Sequence, residues 1–328
     1  MIIAIDESGS FEPESAERSF FVAVHLRQRK TLYDLKRRQH EAWERSLPRS
    51  AKNAKGEIKG SVLSDDDLRR FAQQVVRSRP VIGITPYAVR GLENPPEIVD
   101  KHRAVVEIST REGVELYNSQ GKLTLGLTVN DFGNWYGNLG YVQYMKTRML
   151  GWCIHTALVN TVGHSISGGY DRDELPRIRY KIDRDFIKQP RHLVFWRILL
   201  RNQIWDASKD DPLPILDSWK EDHPFLETID GERHSSITEI FQERTEFLHS
   251  HQHFEIRIAD AVATILNRFF NQGPCTDAYR LIAEAFLRDG KVHQAVLNDF
   301  DLTAYRYDPA DNPWARKRSA GTASGGQN

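Results

Sequence analysis

The stretch MIIAIDESGSF, residues 1–11, sets the first question: an apolar run, then two adjacent carboxylates, then a Ser8-Gly9-Ser10 turn signal. Ile2 and Ala4 alternate with Ile3 and Ile5, so a strand here is apolar on both faces and belongs in the middle of a sheet. Charge at the end of such a strand is costly unless something pairs with it. The turn places Asp6 and Glu7 where the strand leaves the sheet, a common location for chemistry. Alternation sends the two acids to opposite faces.

Working outward, RSFFVAVHL (18–26) reads as a second strand, forming a hairpin with the first. LYDLKRRQHEAWERSL (32–47) reads as a helix with a basic outer face, followed by a loop at 48–64. Ser64 with Asp67 three residues on has the form of a capping box, opening a helix over 65–77. Residues 80–90 read as a third strand, irregular at Pro86. A helix is expected from about Pro96, a strand or short helix at 122–129, a Gly/Asn loop at 130–140 and an amphipathic helix at 141–162. RIRYKIDRDF (177–186) reads as a fourth strand that again ends in carboxylates, Asp183 and Asp185. Beyond it, 192–205 is expected to be helical or a mixed apolar segment, 236–245 a strand, HSHQH (249–253) a loop, and 254–270 and 278–291 helices. One domain over 1–308 with insertions at about 91–140 and 206–235 is the simplest organisation, with a disordered tail at 309–328.

Composition narrows the class. The 328 residues are 40% hydrophobic and 27% charged, with zero net charge, so global charge names no partner. The distribution says more: residues 27–60 carry eleven Lys/Arg against four acids, a local +7 balanced by −7 elsewhere. A basic segment beside an acidic site suits a polyanion. Cys153 and Cys275 alone exclude a disulfide scaffold and a Cys-rich zinc site. Their scarcity, no signal peptide and no span apolar enough for a bilayer lead to the expectation of a cytoplasmic protein with no membrane partner. A protein partner or homo-oligomer stays open.

Three acids share a context. Asp6 and Asp183 end strands, and Asp260 interrupts the apolar stretch Ile256–Ala263 of a helix. Two carboxylates at 4 Å repel by about 4 kcal/mol at a partly buried site, so several in one place call for cations. Hard oxygen donors without clustered thiols point to Mg²⁺ or Mn²⁺, and a pair of such ions promotes in-line attack on a phosphodiester. There is no Walker-type phosphate loop and no Gly-x-Ser-x-Gly elbow to suggest other chemistry.

Taken in order, IDESGSF at the start, GEIKGS at 56–61, YKIDRDF at 180–186 and FEIRIADAV at 254–262 resemble the four signature blocks of the family known as domain of unknown function 3800, which is similar to RNase H-like nucleases. The resemblance implies an α/β fold with an RNase H-like mixed sheet flanked by helices, plus insertions. It implies a catalytic and metal-binding set of Asp6, Glu57, Asp183 and Asp260, with two Mg²⁺ or Mn²⁺ ions and DNA or RNA as partner. Lys59 matches the family's lysine and would contact a phosphate. Glu7 is expected to support Asp6 from the other face, Asp185 is a reserve ligand, and His251 or His253 could assist proton transfer. The alternative is a non-catalytic nucleic-acid-binding or regulatory subunit that keeps the fold; a zinc hydrolase built on HSHQH is a more distant one.

Overall fold

The computed structural model describes residues 1–28, 30–52, 58–77, 82–166, 172–184, 193, 195, 225–229, 232–235, 244–273, 275–287 and 292–295. Contacts divide the chain into two compact units, Met1–Glu93 with Val142–Val296, and Asn94–Tyr141 with Leu297–Asn328.

The first unit is α/β. Its sheet begins with β1 (Ile2–Ser8), antiparallel to β2 (Arg18–Leu26), which pairs in turn with β3 (Ile82–Arg90). On the other side of β1 lies β4 (Arg179–Asp183), parallel to it, and then β7 (Thr245–Leu248), parallel to β4. A last short strand, β8 (His293–Ala295), runs parallel to β3, so the order is β7-β4-β1-β2-β3-β8. Between them in sequence, β5 (Leu226–Ile229) and β6 (Glu232–Ser235) form a separate antiparallel hairpin. β1 is central, as its two apolar faces require: Ile3, Ala4 and Ile5 are fully buried. Burying each Ile side chain favours the fold by about 1.5–3 kcal/mol.

One face of the sheet is covered by α1 (Lys30–Ser46), α2 (Asp65–Arg77) and two later helices, α6 (Phe254–Asn271) and α7 (Thr276–Ala283), sharing a core with Ile2, Val22, Val24 and Ile84. The other face meets α5 (Tyr141–Ile166). The expected capping box is present: Asp67 N donates to Ser64 Oγ and Ser64 N to Asp67 Oδ2, both at 3.2 Å. At the first turn Gly9 has φ +120°, and a Cβ there would stand 2.5 Å from Ser19 Oγ, so only glycine fits.

Several expectations are corrected. α5 is not amphipathic but buried nearly all round, because it backs the sheet centre. The basic face of α1 is incomplete: Lys36 turns inward to the Gln74 carbonyl (3.3 Å), and burial pushes its ammonium down to about 8. The last helix stops at Ala283; the chain then joins the sheet edge, where Ile84 N donates to Ala285 O and Leu287 N to Ile84 O, before β8. Pro86, which has no N–H, falls between this bridge and the β8 ladder. The strand expected at 236–245 is seen at Thr245–Leu248; residues 236–243, the expected helix at 192–205 except 193 and 195, and the tail at 309–328 lie outside the described residues.

In the second unit, α3 (Pro96–Ser119) and α4 (Leu123–Gly137) form a helical pair. The expected loop at 130–140 is helical to Gly137. Two glycines of α4 are contact points rather than breakers: a Cβ on Gly133 would lie 2.3 Å from Thr110 Cγ2, and one on Gly126 2.6 Å from Asn118 Oδ1. The aromatics there serve packing, with buried Phe132 and Tyr136 stacked at 5.7 Å.

Candidate functional site

β1 and β4 run parallel and end side by side, which brings Asp6 and Asp183 to one end of the sheet; both are buried, 6% and 3% exposed. α6 crosses the same face and contributes half-buried Asp260. The fourth element is the turn Gly60–Val62, which lies on α6: Gly60 N donates to Asp260 Oδ2 at 2.8 Å. A Cβ on Gly60 would stand 2.1 Å from Thr264 Oγ1, so this approach requires a glycine.

The electrostatics record the convergence. Burial above all, then the carboxylates of Glu7, Asp260 and Asp183, push the Asp6 carboxyl well above the usual range; the Glu7 N–H, 2.8 Å from Asp6 Oδ1, opposes them. Three acids from distant parts of the sequence therefore act on one another. Among the described residues no group of three or more His, Cys, Asp or Glu is already arranged to hold a metal ion. The donors of Asp6, Asp183 and Asp260, hard anionic oxygens, are of the type that Mg²⁺ and Mn²⁺ take.

Other expected residues fall into place differently. Glu7 points to the opposite face and pairs with Lys146 of α5 at 3.1 Å. Glu57 and Asp185 lie outside the described residues; Lys52 and Ile58, flanking 53–57, form an isolated bridge. Lys59 is half-buried and extended, next to Gly60. His251 is exposed in the turn Ser250–Gln252, and His253 caps the start of α6 with Nδ1 3.5 Å from Lys181 Nζ. Arg257, the obvious ion-pair partner for Asp260 by sequence distance, instead grips Glu44 of α1 through two bonds (2.5 and 3.0 Å) and the carbonyls of Ser250 and His251. Burial favours protonated Glu44, but hydrogen bonds from His40 and Arg257 outweigh it and hold the carboxyl at about 2.

Sequence reasoning missed the buried pair beside the acids. Lys181, two residues before Asp183 and on its face of β4, bonds Glu255 of α6 at 2.8 Å; Tyr33 of α1 also donates to Glu255. Burial would raise the Glu255 carboxyl, yet these two bonds bring it below its usual value. Strand alternation back from Asp183 would have flagged Lys181; nothing in the sequence flags Glu255 as its partner.

Comparison of the chain with family models, curated proteins and solved structures gives no significant match. No helix among the described residues is long and apolar enough to cross a membrane.

Proposed function

We propose that this chain is a divalent-metal-dependent nuclease with an RNase H-like architecture, hydrolysing phosphodiester bonds of DNA or RNA. One observation carries the reading: Asp6, Asp183 and Asp260, from two strand ends and a helix, stand close enough that the latter two raise the Asp6 carboxyl. Gathering like charges costs stability and suits a site that takes cations. The mixed sheet with β1 at its centre and helices on both faces, and the order of the four sequence blocks, support the same reading.

Asp6, Asp183 and Asp260 would hold the ions, with Glu57 and Asp185 as further donors. Bound divalent ions supply activation of the attacking water and charge neutralisation at the leaving oxygen. The chain's own groups do the rest. The Gly60 amide orients Asp260, and the Lys181–Glu255–Tyr33 network fixes β4, α6 and α1 so that the acids keep their spacing. Exposed Arg38, Arg45 and Arg49 on and after α1 attract a polyanionic strand.

The test is thermal unfolding with Mn²⁺, Mg²⁺ or EDTA on wild type and Asp6→Ala, followed by incubation with labelled single- and double-stranded DNA and RNA. A Mn²⁺-dependent rise in Tm confined to the wild type, with cleavage lost in Asp6→Ala and Asp260→Ala, is expected. Cleavage persisting in both variants would falsify the site. Metal binding with no turnover of any strand would move the protein to the non-catalytic alternative.

A further inference from the structure

Two of the elements that deliver an acid, β1 and α6, carry a polar group one step further along. Ser8 follows Asp6 by two residues on the same strand face, about 6.7 Å on. Thr264 follows Asp260 by one helical turn, about 6 Å along the axis. Ser61 follows Gly60, whose amide holds Asp260. With Asp65, Asn267, Arg268 and Gln272 these residues line a cavity of about 230 Å³. Pockets for drug-sized ligands run to about 300–1,000 Å³, so this one suits a single ring system.

The charges in the cavity wall are already engaged. Arg268 donates to Asp65 Oδ1 and to the Ser61 carbonyl, each at 3.0 Å, and the Cys275 thiol bonds the same Asp65 oxygen at 3.0 Å. Cys275 first, then Arg268, hold the Asp65 carboxyl below its usual value, so the pair is an internally neutral clamp of the turn onto α6. The adjacent acids repel a second anion. The groups left to meet a ligand are the hydroxyls of Ser8, Ser61 and Thr264, the amide of Gln272, and the Nδ2 donor of Asn267, whose Oδ1 accepts from Asn271 Nδ2 at 2.6 Å. That set fits a neutral, flat, hydrogen-bonding group.

We propose that this cavity receives a nucleobase of the strand whose phosphodiester lies at Asp6, Asp183 and Asp260, with Asn267 and Gln272 bonding its edge. The inference rests on the nuclease reading, and it makes the enzyme sensitive to the base at one position beside the cut. Side-chain amides are the groups that meet base edges through paired bonds.

The experiment is fluorescence anisotropy of end-labelled single-stranded DNA and RNA with Ca²⁺, using oligonucleotides in which an abasic site is moved one position at a time. Wild type should lose about tenfold in affinity at one position, the scale of a paired base contact. In Asn267→Ala/Gln272→Ala that penalty should vanish, with the intact strand bound about tenfold more weakly. A penalty equal at all positions, or one that survives in the double variant, overturns the inference. Gln272→Ala alone, at an exposed position, should halve the effect should the double variant melt early. Free nucleoside monophosphates competing as strongly as the strand would reassign the cavity to a mononucleotide and overturn the strand assignment. Cleavage in Mn²⁺ without a position-specific penalty sinks this inference alone; a position-specific penalty without cleavage sinks only the nuclease reading.

Discussion

The two faces of the central sheet treat the carboxylates at the end of β1 in opposite ways, as the neighbours Asp6 and Glu7 show. Glu7 points toward α5 and finds Lys146; on that same face His25 is fully buried between two hydroxyls, Thr161 Oγ1 at 2.8 Å from Nδ1 and Thr85 Oγ1 at 3.0 Å from Nε2. Thr161 donates to the Ala157 carbonyl, which leaves its oxygen to accept from His25, and Asn160 Nδ2 donates to Thr85. There Glu7 is paired and His25 is kept neutral. On the α6 face Asp6 instead meets further carboxylates. Paired polar groups such as Glu7 and His25 serve the fold, whereas like charge collected at strand ends fits the cation site proposed above.

The sharpest way to break this contrast is activity. Asp6→Ala should reduce strand cleavage by about 1,000-fold or more, equivalent to about 4 kcal/mol of transition-state stabilisation. Glu7→Gln should act mainly through stability. Equal losses of turnover in the two variants, measured at matched folded fraction, would erase the distinction between the faces.

Next comes the buried pair that braces the acids. Lys181→Met leaves Glu255, 2% exposed, without its cation and should cost about 3 kcal/mol in urea unfolding. Lys181→Met/Glu255→Leu should recover much of that loss, since replacing both members by apolar groups removes the unpaired charge. Failure to recover would mean that the pair holds more than itself.

Asp6 also predicts a stability gain. Its folded-state carboxyl titrates above the unfolded one, so its contribution is fully present below the unfolded value near 3.8 and is lost as pH rises through the folded one. Asp6→Asn should therefore raise Tm in EDTA at neutral pH, and the gain should shrink toward pH 4. Divalent metal should reverse the order of the two proteins. A wild type more stable than Asp6→Asn in EDTA would show that the acid is paired after all.

On the opposite face the sign is inverted. Burial first, then His164, press His25 down to about 3, so its stabilisation is complete above 6.5 and lost as pH falls toward 3. Unfolding curves at pH 7 and 4.5 should show the wild type losing more on acidification than His25→Gln. The smallest effect is at the half-buried Glu7–Lys146 pair, where Glu7→Gln should cost about 1 kcal/mol, reduced by salt.

Much of this was legible in the chain itself. Ile2–Ile5 demanded a central strand, Ser64 and Asp67 marked the start of α2, and alternation separated Glu7 from Asp6, because these patterns depend on near neighbours. Local signals failed where a distant partner overrode them. Gly133 and the Gly/Asn composition around it resembled a loop until α3 was placed against α4, and β8 is too short to be recognised without β3 beside it. The acids were each visible as oddities, but their meeting depends on the parallel pairing of β1 with β4 and the path of α6 across them. Covalent neighbours dictate which residues are strand, helix or turn; only the folded chain can bring Asp6, Asp183 and Asp260 within each other's field, because that distance is set by sheet order and helix packing rather than by anything along the sequence.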